Sequence, residues 1–286
     1  MEQKQYEEKG YLHEDFKLFY LEEMVSREIE YHYHNFDKIL VFFKGNIEYT
    51  IEGKSYILVP EDIVLVPRGD SHKVHLSSYS KNDIGYTRMV IYLSPEYLSG
   101  LREEGQCLRD CFVRVGKRHS HVVRLHEKGE NQLWNLIGSL KTSVENGVSD
   151  GFQKLYQRTL LLQFLIILNR KMQHDGIHYV DTSRCNQKIV EIIHYINGHL
   201  TDDMDIDSLS EYFFISKYYM MRKFKEETGY TIGNYINQKR LLLAREMLKQ
   251  GYPVTETYLD VGFKEYSTFS RAYKQMFEEI PSKMKK

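Results

Sequence analysis

The feature that most constrains this chain is a repeat near its C-terminus. The stretch KYYMMRKFK at 217–225 recurs 49 residues later as YSTFSRAYK at 266–274. Met220 falls on Phe269 and Phe224 on Tyr273, which leaves an i, i+4 apolar pair in each copy. Residues four apart lie on one helix face, so each pair can hold a helix against a core. Arg222 falls on Arg271 and Lys225 on Lys274, so each copy also presents bases at matched positions. A short helical segment and a tight turn precede each copy. Two helices joined by such a turn make a helix-turn-helix, and the chain carries it twice.

The surrounding sequence supports an all-helical region from 187 onward. Ile189, Ile192, Ile193 and Ile196 share one face of the first helix. Asp205 is placed to cap IDSLSEYFF, and Ser216 to cap the helix that ends at Gly229. Thr231 caps a longer helix with an apolar stripe of Ile232, Tyr235, Ile236, Leu243, Ala244, Met247 and Leu248, closed by Gly251. At 1.5 Å per residue, a connecting helix of about 18 residues is about 27 Å long. That approaches the rise of one DNA turn, about 34 Å. One chain can therefore offer two helices to successive major grooves, each about 12 Å wide.

The first part of the chain has a different texture. From 31 to 93 it alternates and is rich in β-branched residues, with turn signals at Gly45-Asn46, Glu52-Gly53, Pro60 and Pro67. Many short strands with regular turns predict a small β-sandwich or barrel. From 127 to 172 the periodicity becomes helical, with Leu133, Leu136, Ile137 and Leu140 on one face. In the next helix Leu155, Leu162, Leu165, Ile166 and Asn169 make one face, with Leu161, Phe164 and Leu168 beside it. Such a helix is expected to touch both the β-domain and a second subunit. The stretch 174–186 lacks a period and reads as a linker.

The chain of 286 residues suits two domains, and 42% hydrophobic with 28% charged residues suits a soluble globular protein. A net charge of −1 argues against non-specific nucleic-acid binding, so a local basic helix has to do the docking. The first residues are too charged for a signal peptide. LLLQFLIIL is too short to cross a bilayer, so no membrane partner is expected. Three cysteines make no disulfide framework, which points to the cytoplasm.

The run from DIDSLSEYFFISKYYMMRKFKEETGYTIGNYINQKRLLLAREML through VGFKEYSTFSRAYKQMF to IPSK resembles the AraC/XylS-type DNA-binding domain. The resemblance implies a multidomain α+β chain. A cupin-like β-barrel or sandwich with an N-terminal arm (1–126) would sense an effector. Helices at 127–173 would make a homodimer, followed by the linker (174–186). The all-α domain (187–286) would hold two helix-turn-helix units joined by a long helix. The partners implied are double-stranded promoter DNA and a small-molecule effector. Activation is the commoner mode of the family, and an activator also meets RNA polymerase.

Carried over by position, the resemblance has Ser216, Lys217, Tyr218, Met221 and Arg222 of the first recognition helix facing DNA. In the second these are Tyr266, Ser267, Ser270 and Arg271, while Lys225 and Lys274 contact phosphates. Two departures stand out. Thr257-Tyr258 replaces the usual Ile-Ala before Gly262-Phe263, and Phe277-Glu278 replaces Phe-Gly. They put sequence reading on the first unit more than on the second.

In the N-terminal half, His32, His34 and His72 resemble fragments of the cupin metal motifs. Residues i and i+2 share a strand face, so all three imidazoles can meet. Lys38 stands where a carboxylate ligand is expected, and a cation is a poor neighbour for a divalent ion. The reading is that His32, His34, Lys38 and His72 line a pocket for an anionic or hydroxylated ligand. No metal, cofactor or catalytic residue is assigned, and no enzyme activity is expected. The alternatives are a cupin-type metal enzyme fused to DNA-binding helices and a regulator without an effector.

Overall fold

The run DKILVFF is apolar at every position from Ile39 to Phe43, and the structure gives the reason: its sheet is covered on both faces. The computed structural model describes residues 12, 14–23, 29–76, 85–118, 120–125, 132–146, 150–174 and 176–284. The expected N-terminal arm falls largely at 1–11, outside the described residues. The chain divides into two units, Met1–Arg184 and Cys185–Lys286.

In the first unit the strands are β1 (Phe16–Glu23), β2 (Ile29–His32), β3 (Asp37–Lys44), β4 (Ile47–Ile51), β5 (Lys54–Ile57), β6 (Ile63–Val66), β7 (His72–Leu76), β8 (Tyr86–Leu93), β9 (Arg102–Glu103), β10 (Gln106–Cys107), β11 (Val122–Leu125) and β12 (Ile177–Tyr179). The helices are α1 (Pro95–Gly100), α2 (Asp110–Arg118), α3 (Gln132–Glu145) and α4 (Gln153–Gln173). One sheet runs β1-β8-β3-β6-β11-β12, and a second includes β5-β4-β7-β2. Alternate residues of the first sheet serve different cores, as the two-residue period requires. Leu40, Phe42, Val64, Val66, Val90 and Tyr92 face the second sheet and meet Ile47, Tyr49, Ile51 and Tyr56. Ile39, Val41, Ile63, Leu65, Met89 and Ile91 face the helices instead.

Those helices form a covering layer of the same unit. Phe112 and Val115 of α2, Leu133, Ile137 and Leu140 of α3, and Leu161, Phe164, Leu165 and Leu168 of α4 complete the outer core. Two buried carboxylates are paired: Asp37 of β3 meets Arg109 ahead of α2 at 2.7 Å and ties sheet to helices, and Asp62 meets Arg124 of β11 at 2.7 Å within the first sheet. The helices of 127–173 are therefore built onto the sheet as part of the first unit. The face expected for α4 also shifts. Leu165 and Asn169 are buried, but Leu155 is 59% and Ile166 38% exposed, and Leu161, Phe164, Leu168 and Met172 take the inward side. A helix apolar nearly all round has no sequence signal for which side meets the sheet. The expected linker 174–186 also contributes to the first unit. Ile177 and Tyr179 pair with Leu125 and Val123, a strand too short to show alternation.

The second unit contains α5 (Gln187–Gly198), α6 (Ile206–Tyr212), α7 (Lys217–Thr228), α8 (Ile232–Lys249), α9 (Val254–Asp260) and α10 (Tyr266–Phe277). The caps fall as expected: the side chains of Asp205, Ser216 and Thr231 accept from the backbone N–H three residues on. Ile189, Ile192, Ile193 and Ile196 of α5 join Met220 and Phe224 of α7 and Tyr235 of α8 in one core. α6 and α9 have seven residues each, and α7 and α10 twelve each, so the repeat is a repeat of structure. Both recognition helices end in a left-handed residue. At α7 it is Gly229, with φ 79°; at α10 it is Glu278, with φ 59°. The missing glycine changes the local strain and leaves the geometry in place.

Candidate DNA-reading surface and ligand cage

The recognition helices carry one apolar and one polar face. On α7, Met220, Phe224 and Thr228 point inward. Ser216, Lys217, Tyr218, Met221, Arg222 and Lys225 are all exposed. On α10, Phe269, Tyr273 and Phe277 point inward, while Tyr266, Ser267, Arg271 and Lys274 are exposed and Ser270 is half-buried. Ser216 also works inside the fold, because its Oγ accepts from Tyr219 N at 3.3 Å and caps α7. Several bases are held by exposed acids. Lys217 Nζ lies 2.7 Å from Asp207, and Arg222 Nη1 lies 3.2 Å from Glu226, which Lys223 also meets at 2.7 Å. The Lys223 ammonium and the Arg222 guanidinium hold the Glu226 carboxyl below its ordinary range. Water and salt screen such pairs, so a phosphate or base edge can replace them.

Tyr258, the bulky departure from the family pattern, folds over the start of α10. Its ring lies 5.7 Å from Tyr266 and 6.2 Å from Phe269. Thr257 takes the fully buried position, its hydroxyl donating to Pro253 O at 2.8 Å. The helices of the second unit thus keep their contact, and Tyr266 gains an aromatic neighbour where the first unit has the small Ser210. Sequence reasoning missed two residues in this unit. Phe214 sits in the turn before α7 with φ 53° and is 95% exposed, although YFFIS reads as a pair of core aromatics. Arg240 of α8 reads as an ordinary surface base, but its donors all meet backbone carbonyls. Carbonyl acceptors leave no trace in residue identities.

In the first unit the four expected ligand residues come together between the sheets. Lys38 lies on the inner face of β3, in line with Leu40 and Phe42. His32 and His72 are direct cross-strand partners in β2 and β7, and His34 follows in the connection to β3. All four are buried. The rings of His32 and His72 are 4.2 Å apart, and His34 lies 5.0 Å from each. His32 Nδ1 is 2.7 Å from Glu30 O, and His72 Nδ1 is 3.0 Å from Asp70 O. A carbonyl only accepts, so these contacts place the ring proton on Nδ1 and leave Nε2 with a lone pair. His72 Nε2 then faces Lys38 Nζ at 3.5 Å. Both ring nitrogens of His34 are buried without a hydrogen-bond partner. Burial, and then the Lys38 charge, hold His34 and His72 well below the ordinary histidine range, so both are neutral at pH 7.

The three imidazoles are, among the described residues, the one group placed to share a metal ion, with ligand atoms within 4.8 Å of one another. Lys38 works against that use, because its ammonium puts a positive charge beside the lone pairs. The set is better described as three clustered imidazoles, of which His34 and His72 are held neutral, beside one lysine. Phe36 stacks on His34 at 4.4 Å, and Tyr49 stacks on His72 at 5.9 Å. Aromatic walls with a few convergent polar groups are the usual chemistry of a small-molecule site.

Known proteins show the same order of parts. The AraC-like ligand binding domain matches residues 19–165, and a helix-turn-helix domain matches 209–286. The HTH-type transcriptional activator RhaS of Enterobacter sp. (strain 638) is 24% identical over 258 residues, 89% of this chain and 86% of that one. RhaS of Escherichia coli O139:H28 is also 24% identical, over 87% of this chain and 85% of its own. The solved structure of ToxT from Vibrio cholerae covers 94% of this chain and 97% of its own at 15% identity, with a TM-score of 0.36, a likeness too distant to bear on this fold. The ligand-binding match spans more than half of the chain, and paired helix-turn-helix units follow it. This protein belongs to the AraC family, as a DNA-binding transcription regulator with a cupin-like ligand-binding unit.

Proposed function

We propose that the chain is an activator that reads promoter DNA with both recognition helices and responds to a small anionic or hydroxylated effector held by His32, His34, Lys38 and His72. The observation that carries this reading is the matched exposure of α7 and α10. In both, the inward face is apolar and the outward face is polar, with Arg222 and Lys225 matched at equivalent positions by Arg271 and Lys274. On this reading Tyr218, Met221, Arg222, Tyr266, Ser267, Ser270 and Arg271 face base edges, while Lys225 and Lys274 meet phosphates. Activation is supported by the RhaS relatives, which are activators by name. An activator also meets RNA polymerase and works where the chromosome is, in the cytoplasm. The effector acts only as far as it binds one arrangement of the protein more tightly than another.

A homodimer is part of the proposal. The outward side of α4 keeps Leu155, Tyr156 and Ile166 exposed, with Phe152 at its N-cap, and a period of 3.6 puts them on one face. A second copy of the same stripe is the simplest cover for it.

Selection of bound duplexes from random-sequence DNA tests the reading directly. A site covering two successive major grooves on one face is expected for each chain, and protection confined to one groove would remove α10 from it. A thermal-shift screen with small acids and sugars tests the cage. An effector present at about 100 times its dissociation constant adds about 2.7 kcal/mol of stability. The variant Lys38→Met should abolish the shift for an anionic compound. A metal-dependent enzyme is a second reading, favoured only by the convergence of His32, His34 and His72. Stoichiometric iron or manganese in the purified protein would restore it.

A further inference from the structure

Two recognition helices on one chain serve one site only if their spacing matches that of the grooves. α8 sets a distance along its own axis, but a helix alone leaves the units at its two ends free to rock. The side chain of Arg240, at the middle of α8, joins both ends. Its Nε donates to Leu200 O and its Nη2 to Asp202 O, each at 2.7 Å, in the segment between α5 and α6. Its Nη1 donates to Gly262 O at 2.7 Å, in the turn between α9 and α10. One planar, permanently charged fork thus holds both the segment that leads into the first helix-turn-helix unit and the turn of the second.

Gly262 is shaped to receive it. Its φ is +90°, and a Cβ there would stand 2.8 Å from Arg240 Cζ. A side chain at 262 would displace the guanidinium. Across the same seam, Lys264 Nζ meets Asp203 at 2.8 Å, an exposed pair between the same two turns. Arg240 itself is half-buried, and its three guanidinium nitrogens are engaged by backbone carbonyls.

We propose that Arg240 is the positioning residue that fixes the spacing of the two recognition helices, and with it the spacing of the two DNA segments one chain accepts. This rests on the reading that α7 and α10 both enter DNA. Arg240 acts through the main chain of two turns and touches no base.

The test uses the full-length protein and a duplex recovered from random-sequence DNA. A second duplex carries one extra base pair between the two contacted segments. That insertion moves one groove by about 3.4 Å and turns it by about 35°. Wild type should bind the longer duplex about tenfold more weakly or worse, the loss expected when one segment falls out of register. Arg240→Met keeps the apolar stem and removes the fork. It should bind the original duplex more weakly and lose most of its preference between the two, with affinity for random DNA unchanged. Gly262→Ala crowds the fork without deleting it and should relax the preference in the same direction. If Arg240→Met fails to fold, Gly262→Ala decides the matter. Full spacing preference in a folded variant lacking the fork overturns the proposal. A wild type indifferent to the insertion overturns the two-groove reading and the clamp with it, an outcome distinct from loss of the clamp alone.

Discussion

Arg222 and Arg240 are both arginines on amphipathic helices, and their surroundings alone separate their roles. Arg222 is exposed on the outward face of α7 beside Glu226, whereas each guanidinium nitrogen of Arg240 donates to a backbone carbonyl. Replacing Arg222 by Ala should weaken specific DNA binding by about 1–3 kcal/mol if it reads a base. Equal losses on specific and random duplexes would reduce it to a phosphate contact. The cage makes a separate prediction at this scale. His34 and His72 are held neutral by burial, so their folded pKa values lie below the unfolded value of about 6.5. Above about pH 6.5 both states are neutral and the stability is complete. As the pH falls below that, the unfolded chain takes up protons that the folded chain refuses, and stability declines toward the folded pKa values. Melting curves of the intact protein should therefore be level from pH 8 to 7 and fall between 6.5 and 5. His34→Gln should make that fall shallower. A melting temperature that stays level down to pH 5 would contradict the neutral, buried assignment.

The two helix-turn-helix units share lengths and differ in detail. α10 ends in Glu278 at φ 59°, where α7 ends in Gly229. A left-handed residue with a Cβ costs about 1–2 kcal/mol relative to an unstrained one. Glu278→Gly should accordingly stabilise the protein by about 1 kcal/mol, and Gly229→Ala should destabilise it by at least about that much. Equal stability of Glu278→Gly and wild type in a denaturant titration would show that the strain is relieved elsewhere. Tyr258 against Tyr266 is the other difference. It occupies part of the surface through which α10 would meet a groove. Arg271→Ala is therefore expected to cost less specific affinity than Arg222→Ala, and the reverse order would remove any weakening role for Tyr258. These helices were legible from the chain because period, caps and repetition agree within short windows. α4 was legible as a helix, yet its buried side was not, since Leu155 and Leu161 are equally apolar.

At the scale of the molecule, the exposed stripe on α4 makes the prediction. Leu155→Glu together with Ile166→Glu should shift the protein from dimer to monomer in sedimentation. The monomer should still fold, because both side chains lie outside the core of the chain, with a melting temperature lowered by the loss of the dimer's contribution. A wild type that sediments as a monomer at micromolar concentration would discard that surface. Much of the organisation was readable in advance: a β-rich ligand-binding part, a helical DNA-binding part, and the apolar and exposed faces of α7 and α10. Those features depend on local order, on strand alternation, helix period and the 49-residue repeat, and local order is written in neighbouring residues. The cage and the clamp depend on contacts between distant segments. His32 and His72 were recognisable as candidates, but their pairing comes from the register of β2 on β7, and Lys38 joins them because two sheets stack. Arg240 reaches 40 residues back to Leu200 and 22 residues on to Gly262. By itself, the sequence determined that two helix-turn-helix units form and which of their faces are apolar. Only the tertiary structure decided which buried imidazoles surround a cation and which arginine ties the two reading units, because packing and backbone acceptors are invisible to any local pattern.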